Sequence, residues 1–180
     1  MQVTAEIRRL REKWIFRGLT RPSWAVTPMD GQESVWDYPR PPRIESDSRR
    51  IRILCSGRSI AESRNSLRVM ETGGPPSFYL RQSQVQMDLL LANDSRALCE
   101  WKGSSIGLDL LDGPSDVAWR YTETFDDFDS ILGWIAFHPS KLECFVDDER
   151  VRPQLGGYYG GWITHELVGP FKGDPECEEV

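Results

Sequence analysis

A series of short segments with alternating apolar and polar residues constrains the fold of this chain most strongly. The clearest run covers residues 50–71, where three such segments are separated by Ser56-Gly57 and Arg64-Asn65, which are typical of turns. Because alternation with period two places successive side chains on opposite faces of a strand, this pattern predicts consecutive antiparallel strands. The predicted strands are Arg50–Cys55, Arg58–Glu62, Ser66–Glu71, Ser77–Leu80, Ala97–Trp101, Ser105–Leu111, Val117–Tyr121, Ile135–His138 and Leu142–Val146.

Two short segments have the pattern of helices. After Thr4, a suitable N-cap, apolar residues recur at helical spacing as far as Trp14. Residues 125–132 begin with acidic side chains, which favour a helix N-terminus, and Gly133 is suited to the end of a helix. The sequence therefore predicts a mainly β protein with one or two short helices.

A proline-rich segment separates the first helix from the strands. Residues 20–43 contain five prolines, a density that is incompatible with regular helix and favours an extended arm. Trp24, Trp36 and Tyr38 lie within this arm. We expect these aromatic side chains to hold the arm on the body of the protein.

Composition and charge exclude several classes of function. The 180 residues are enough to bury a single core without metal or disulfide staples. The net charge is −6, and residues 53–180 carry 11 basic against 21 acidic side chains. Because an acidic surface repels phosphate backbones, we expect no binding to nucleic acid. No N-terminal segment is apolar enough for a signal peptide or membrane span, so we expect a cytoplasmic protein without membrane contacts.

Motifs for metals and common cofactors are missing. The four cysteines stand far apart with no C-x-x-C pair, and the chain has two histidines. A calcium loop beginning at Asp126 would need a glutamate where Phe137 stands. P-loop, dinucleotide-binding, zinc-protease and serine-hydrolase motifs are also absent. We therefore expect neither a metal nor a cofactor.

An ordered set of segments resembles the family called domain of unknown function 427. The resemblance covers roughly residues 45–150, and it implies an antiparallel β-tent-like fold of two sheets that leave a cleft between them. Relatives of that shape often bind zinc through paired C-x-x-C motifs, which this chain lacks. The segments that carry the resemblance are Arg50–Glu62, Leu67–Thr72, Pro75–Leu80, Cys99–Gly103, Ala118–Tyr121 and Gly133–Phe137.

The flanking segments are typical of a longer subgroup of that family. Residues 35–42 and 156–162 are rich in aromatic residues with proline or glycine, and their joint presence suggests that the two extensions pack together. The predicted organisation is an N-terminal helix and arm over residues 1–44, a core β domain over 45–150, and a C-terminal extension with an acidic tail over 151–180. The loop at 156–162 is predicted either to pack on the body or to cover the cleft.

Cys99 and Lys102 form the segment most suited to chemistry. A nearby ammonium lowers the pKa of a thiol, and Gly103 would permit close approach of a ligand. Cys99 is therefore a candidate for ligand contact or for nucleophilic catalysis, and the alternative is a buried thiol beside a solvated lysine.

Further polar and aromatic side chains are predicted to line the same cleft. Trp119 and Tyr121 are two residues apart on one strand and so share a face. A cleft with aromatic walls and a few polar anchors is the usual composition of a small-molecule site, whereas the alternative is that these rings belong to the core. The candidate site residues are Glu71, Tyr79, Cys99, Trp101, Lys102, Trp119 and Tyr121.

Three functions are compatible with the sequence. The first is a small-ligand-binding β module that uses the cleft between the two sheets. The second is an enzyme that acts on a small metabolite through Cys99 or Glu71. The third is a protein-interaction module that uses the proline and aromatic arm. The sequence is compatible with a monomer or a homodimer, and it does not identify the ligand.

Overall fold

The first 177 residues are described by a computed structural model, and they form fifteen strands and one α-helix, with several short 3-10 helices. Helix α1 spans Ala5–Glu12, and Oγ1 of Thr4 accepts a hydrogen bond from the backbone N–H of Ile7 at 3.3 Å. The strands are β1 (Glu33–Ser34), β2 (Arg43–Asp47), β3 (Ile51–Cys55), β4 (Arg58–Ser63), β5 (Ser66–Glu71), β6 (Gly74–Leu80), β7 (Leu90–Cys99), β8 (Gly103–Leu110), β9 (Ala118–Thr124), β10 (Ile135–Phe137), β11 (Glu143–Val146), β12 (Glu149–Arg150), β13 (Arg152–Pro153), β14 (Trp162–Ile163) and β15 (Leu167–Val168). The 3-10 helices are Val35–Asp37, Gln82–Gln84, Met87–Leu89, Asp126–Ile131 and Pro175–Cys177.

Most strands belong to two antiparallel sheets. The large sheet has seven strands in the order β2-β5-β6-β10-β9-β8-β7, and the small sheet has four in the order β12-β11-β3-β4. Every neighbouring pair within these two sheets is antiparallel. The prediction of a mainly β, antiparallel, two-sheet fold with short helices is therefore confirmed.

One buried apolar cluster lies between the two sheets. Strand alternation determines its membership: Phe78 and Leu80 of β6 belong to it, whereas Tyr79 belongs to a different cluster. Ring Nε1 of Trp162 donates to the carbonyl of Phe137 at 3.0 Å, so the one polar atom of this indole is satisfied inside the core. Other members from the two sheets are Ile51, Ile53, Ile60, Cys144, Leu108, Ala118 and Ile135.

A second apolar cluster covers part of the opposite face of the large sheet, which we call the outer face. Tyr79 and Tyr121 contribute from the sheet, Ile7 contributes from α1, and Phe128 contributes from the 3-10 helix Asp126–Ile131. The N-terminal helix therefore packs on the outer face, on the side of the sheet away from the small sheet.

The N- and C-terminal segments contact each other. Strand β1 pairs in parallel with β15, and ring Nε1 of Trp36 donates to the carbonyl of Pro170 at 2.8 Å. Trp36 and Tyr38 are buried in a third apolar cluster together with Ile163 and Leu167. The arm thus lies on the body through its aromatic side chains, although Trp24 stays partly exposed.

Strand β2 and the two-residue strands β1, β12, β13, β14 and β15 were not predicted, and two predicted elements differ in form. Strand β7 begins at Leu90, whereas its predicted start was Ala97. The prediction missed the first residues because the register shifts between Ala92 and Arg96 and the added residues disrupt the alternation. The segment predicted as a helix over residues 125–132 is the 3-10 helix Asp126–Ile131, which stops before Gly133 at φ +74°. The last three residues of the acidic tail predicted at the C-terminus, 178–180, lie outside the described residues.

None of the helices in residues 1–177 is long and apolar enough to cross a membrane.

Candidate functional site

A cavity of about 650 Å³ lies against the outer face of the large sheet. Its sheet side is formed by side chains that alternate along β5, β6, β8 and β9 and so point the same way. Trp14 and Arg40 from the N-terminal segment and Lys172 from the C-terminal segment complete it. The sheet residues that line it include Val69, Glu71, Ser77, Tyr79, Ser105, Trp119 and Tyr121.

This position corrects the predicted location of the cleft. The family resemblance implied a cleft between the two sheets, but that space is filled by the buried apolar cluster that contains Ile53 and Phe137. Tyr79, Trp119 and Tyr121 belong to the cluster on the outer face. Periodicity could not have corrected this expectation, because it shows which residues share a face and does not show which face a second sheet covers.

Three aromatic side chains lie along one side of the cavity: Trp119 is half-buried, whereas Tyr79 is 1% exposed and Tyr121 is 5% exposed. Ring Nε1 of Trp119 donates to the hydroxyl of Tyr79 at 3.2 Å, and the rings of Tyr79 and Tyr121 stack at 6.3 Å between centroids. Burial raises the pKa of Tyr79 to about 12, so its phenol is neutral at pH 7. The ring of His138 lies 4.5 Å from that of Trp119, and burial lowers the pKa of this histidine, which favours the neutral imidazole. The wall is therefore apolar with neutral polar tips.

Glu71 lies at the end of β5 between two cations. One carboxylate oxygen accepts from Nη2 of Arg40 at 2.9 Å, and the other accepts from Nζ of Lys102 at 2.8 Å. Burial by itself would raise the pKa of Glu71, but the charges of Lys102 and Arg40 outweigh it and lower the pKa to about 2. Glu71 is thus an ionised carboxylate whose two oxygens are already engaged.

The two partners of Glu71 are strongly buried. The Arg40 side chain is 2% exposed, and its Nη2 also donates to the carbonyl of Thr72 at 3.1 Å. Burial opposes the charge of Lys102, but the acidic groups of Cys99 and Glu71 outweigh that and raise the pKa of Lys102 well above its ordinary value. Both side chains therefore carry positive charge next to the cavity.

Lys172 supplies a third cation from the C-terminal segment. Its Nζ lies 3.8 Å from the ring centroid of Trp14 and 5.3 Å from that of Tyr159. The guanidinium of Arg40 also lies over the Trp14 ring, at 3.6 Å. Burial lowers the pKa of Lys172, and the positive charge of Arg40 lowers it further. The indole of Trp14 thus contacts two cations, an arrangement that favours both charges.

The cavity is covered on one side by residues 157–161, here called the covering loop. A Cβ atom at Gly160 would lie 2.2 Å from the ring of Trp119, so only glycine lets the loop approach this closely. Tyr158 in the same loop is 71% exposed. The loop packs on the body at Gly160 and Gly161 and also lines the cavity, whereas its role as a flap over the cavity stays a prediction.

Six of the seven candidate site residues line the cavity, and one does not. Trp101 is buried beside α1, where the guanidinium of Arg11 lies 4.8 Å from its ring centroid. Gly103 has φ +133°, and a Cβ there would lie 2.1 Å from the carbonyl oxygen of Glu123 in β9. The close approach at Gly103 is therefore made by a neighbouring strand and not by a ligand. The six that line the cavity are Glu71, Tyr79, Cys99, Lys102, Trp119 and Tyr121.

Sequence analysis missed the cavity residues that come from outside the core strands. Arg40 stands in the proline-rich arm and Lys172 stands near the C-terminus, so no local pattern connects either one with Glu71. The one available signal was the predicted packing of the two extensions, which would bring distant side chains together. The cavity residues missed in this way include Trp14, Arg40, Tyr159 and Lys172, whereas His138 was missed although it ends a predicted strand.

Within residues 1–177 no three His, Cys, Asp or Glu side chains are grouped so that they could hold a metal ion. Two of the side chains that line the cavity, Arg40 and Lys172, are cations, which repel metal ions.

Comparison with known proteins identifies the central part of the chain. The family model described as "Domain of unknown function (DUF427)" matches residues 43–148, from the start of β2 to the turn after β11. The match includes the six predicted residues that line the cavity, whereas Arg40 and Lys172 lie outside it. No match was found among curated proteins. Because the matched segment covers more than half of the chain, the chain belongs to the DUF427 family.

Proposed function

We propose that this protein is a small-ligand-binding module whose ligand occupies the cavity on the outer face of the large sheet. The observation that carries the proposal is the cavity itself, which has a volume of about 650 Å³. That volume is within the range of 300–1,000 Å³ that is usual for small-molecule sites. Its lining of aromatic side chains with a small number of charged groups is also usual for such sites.

The arrangement of the arm favours this function over the protein-interaction alternative. Trp36 is 1% exposed and Tyr38 is 4% exposed, so neither ring is available to a partner. Both rings stabilise the position of the arm, which in turn places Arg40 at the cavity. The arm therefore contributes a lining residue to the cavity.

Native mass spectrometry of the gently purified protein tests the proposal, together with a fragment screen of the same sample. Ala97 is an exposed residue of β7 that lines the cavity, and Ala92 is an exposed residue of the same strand outside the lining. We expect Ala97→Phe to remove bound small molecules because its ring occupies the cavity, and we expect Ala92→Phe to leave them bound.

Two results would contradict the proposal. One is that no small molecule co-purifies and no fragment binds. The other is that the two phenylalanine variants bind equally well, since binding would then take place outside the cavity.

A second candidate function is an enzyme that uses Cys99. The thiol lines the same cavity as Lys102, and its acidic group contributes, with those of Glu71, Tyr121 and Tyr79, to raising the pKa of that lysine. Glu71 is poorly suited to acid–base catalysis, because a carboxyl group with a pKa of about 2 stays ionised near pH 7. Faster alkylation of Cys99 than of the half-buried Cys55 by iodoacetamide would favour this candidate, and equal or slower alkylation would count against it.

A further inference from the structure

The charges at one end of the cavity are unequal, and this inequality identifies the class of ligand. Three cations, Arg40, Lys102 and Lys172, lie close to two carboxylates, Glu71 and Glu100. We propose that the ligand is an organic oxyanion, a carboxylate or phosphate monoester carried on an aromatic body, and that Lys102 and Lys172 bind its anionic group. This inference rests on the proposed function and specifies the ligand of the same cavity.

Hydrogen-bond donors remain available at the charged end. An ammonium has three donors, and Nζ of Lys102 uses one of them on Glu71 at 2.8 Å. Nζ of Lys172 contacts two aromatic rings, and none of the carboxylates whose side chains the structure describes lies at ion-pair distance from it. The Nε atom of Arg40 is buried without a hydrogen-bond partner. The site therefore has spare positive charge together with spare donors.

An anion would relieve the cost of this arrangement. Burying a charged group is unfavourable unless an opposite charge and hydrogen bonds compensate for it. Glu71 compensates Arg40 and Lys102, and Glu100 accepts from Nε1 of Trp14 at 2.6 Å. Lys172 is the cation without a direct carboxylate partner among the described residues, so an oxyanion beside it completes the pairing.

The remaining lining indicates an aromatic body. Trp119 is half-buried at the cavity, whereas its neighbours Tyr79 and Tyr121 are buried and have neutral phenols because burial raises the pKa of each. Tyr159 of the covering loop faces the same space. Aromatic walls of this kind favour a flat apolar group through stacking.

Glu71 has a positioning role in this scheme. Its carboxylate binds Arg40 and Lys102 at the same time, so it fixes the two cations relative to each other and does not contact the ligand's anionic group. Like-charge repulsion between Glu71 and the oxyanion is offset by the cations between them. The opposite charges of Glu71 and Lys102 thus neutralise each other, and the pair does not present both signs to the ligand.

Isothermal titration calorimetry with matched probes tests the inference. The probes are phenyl phosphate and benzoate as anions, benzyl alcohol as the neutral analogue, benzylamine as the cation, and inorganic phosphate as the anion without a ring. We expect both aromatic anions to bind at least about tenfold more tightly than benzyl alcohol, since one charge-assisted hydrogen bond contributes about that much. Benzylamine and inorganic phosphate are also expected to bind more weakly than the two aromatic anions.

Variants of lysine identify the binding group. Lys172→Gln should weaken phenyl phosphate binding about 10- to 100-fold, because it removes a charge-assisted contact. Lys141→Gln makes the same change in charge at an exposed residue outside the cavity, and it should leave the affinity unchanged. Lys172→Arg keeps the charge and should retain binding, which separates loss of charge from loss of folding.

The outcomes distinguish failure of the inference from failure of the proposed function. If benzyl alcohol or benzylamine binds in the cavity as tightly as the anions, the inference is wrong and the proposed function stands. If Lys172→Gln and Lys141→Gln bind phenyl phosphate equally well, the inference is also wrong. If inorganic phosphate binds as tightly as phenyl phosphate, the part of the inference that assigns an aromatic body to the ligand is wrong. If no probe and no fragment binds at all, the proposed function fails together with the inference.

Discussion

Substitution of Glu71 by glutamine tests the charge cluster on which the site depends. Glutamine keeps the size of the side chain and removes its charge, so Arg40 and Lys102 lose their shared carboxylate partner. The Arg40 side chain is 2% exposed and that of Lys102 is 14% exposed, so solvent compensates little of this loss. We expect the variant to fold with clearly reduced stability.

The size of the effect follows from the pKa of Glu71. Lowering a carboxyl pKa from its ordinary 4.5 to about 2 corresponds to about 3 kcal/mol, at about 1.4 kcal/mol per tenfold change in the acid constant. Breaking a buried ion pair by removing one partner costs about 3–5 kcal/mol in other proteins, which agrees in magnitude. We therefore expect Glu71→Gln to lower the free energy of unfolding by about 3 kcal/mol at pH 7.

The pH dependence has a definite sign. Because the pKa of Glu71 is lower in the folded state, its contribution is fully present above about pH 4.5 and is lost as the pH falls towards 2. Urea unfolding followed by tryptophan fluorescence at pH 7, 5 and 3 should therefore show a difference between wild type and variant that shrinks at the lowest pH. Glu62→Gln, at the exposed pair with Arg50, is the matched control and should change stability little. A Glu71→Gln variant as stable as the wild type at pH 7 would refute the description of the cluster.

Three further predictions concern packing and charge. Trp162→Ala should cost about 3–5 kcal/mol in urea unfolding, because this ring is fully buried between the sheets, whereas Trp119→Ala should cost clearly less because its ring lines a cavity; equal losses would mean that the Trp119 ring is core. Gly103→Ala should lower the free energy of unfolding by about 1–3 kcal/mol, since a Cβ at φ +133° meets the backbone of β9. An unchanged midpoint of urea unfolding would contradict that close approach. The pKa of Lys172 is lowered by burial and then by neighbouring positive charge, so the calorimetric affinity for phenyl phosphate should fall as the pH rises from 7 to 10. The affinity of Lys172→Arg should stay level over the same range. Parallel pH dependence of affinity in the two proteins would contradict this. The charged groups that face Lys172 are Arg40, Glu71, Glu100 and Lys102.

The strands could be predicted well from the sequence because their signal is local. Strand β5 has its predicted bounds, Ser66–Glu71, and the alternation of β6 correctly separates Tyr79 from Phe78 and Leu80. Strand β7 was predicted too short because its register shift breaks the alternation that periodicity detects. Local pattern therefore located most strands of the central domain, although β2, Arg43–Asp47, was not predicted.

The site could be predicted only in part because its charges come from distant segments. Glu71 and Lys102 were predicted to share a site, and they lie 2.8 Å apart. Arg40 and Lys172 reach the same place only because the two terminal segments pair through β1 and β15, a long-range contact that no short sequence pattern specifies. Without these two cations, the sequence indicated a cleft with aromatic walls and a few polar anchors and did not identify the ligand, whereas we propose that the assembled site favours an anion.

The central claim is that an aromatic anion occupies the cavity on the outer face of the large sheet. Nuclear magnetic resonance of the indole N–H groups tests it most directly, with signals assigned by single tryptophan substitutions and phenyl phosphate as the added probe. Trp14 and Trp119 line the cavity, whereas Trp162 is buried between the sheets with its Nε1 bonded to Phe137. The account predicts saturable shifts of the Trp14 and Trp119 signals with the Trp162 signal unchanged. Unchanged Trp14 and Trp119 signals at saturating phenyl phosphate, or a dominant shift at Trp162, would contradict it.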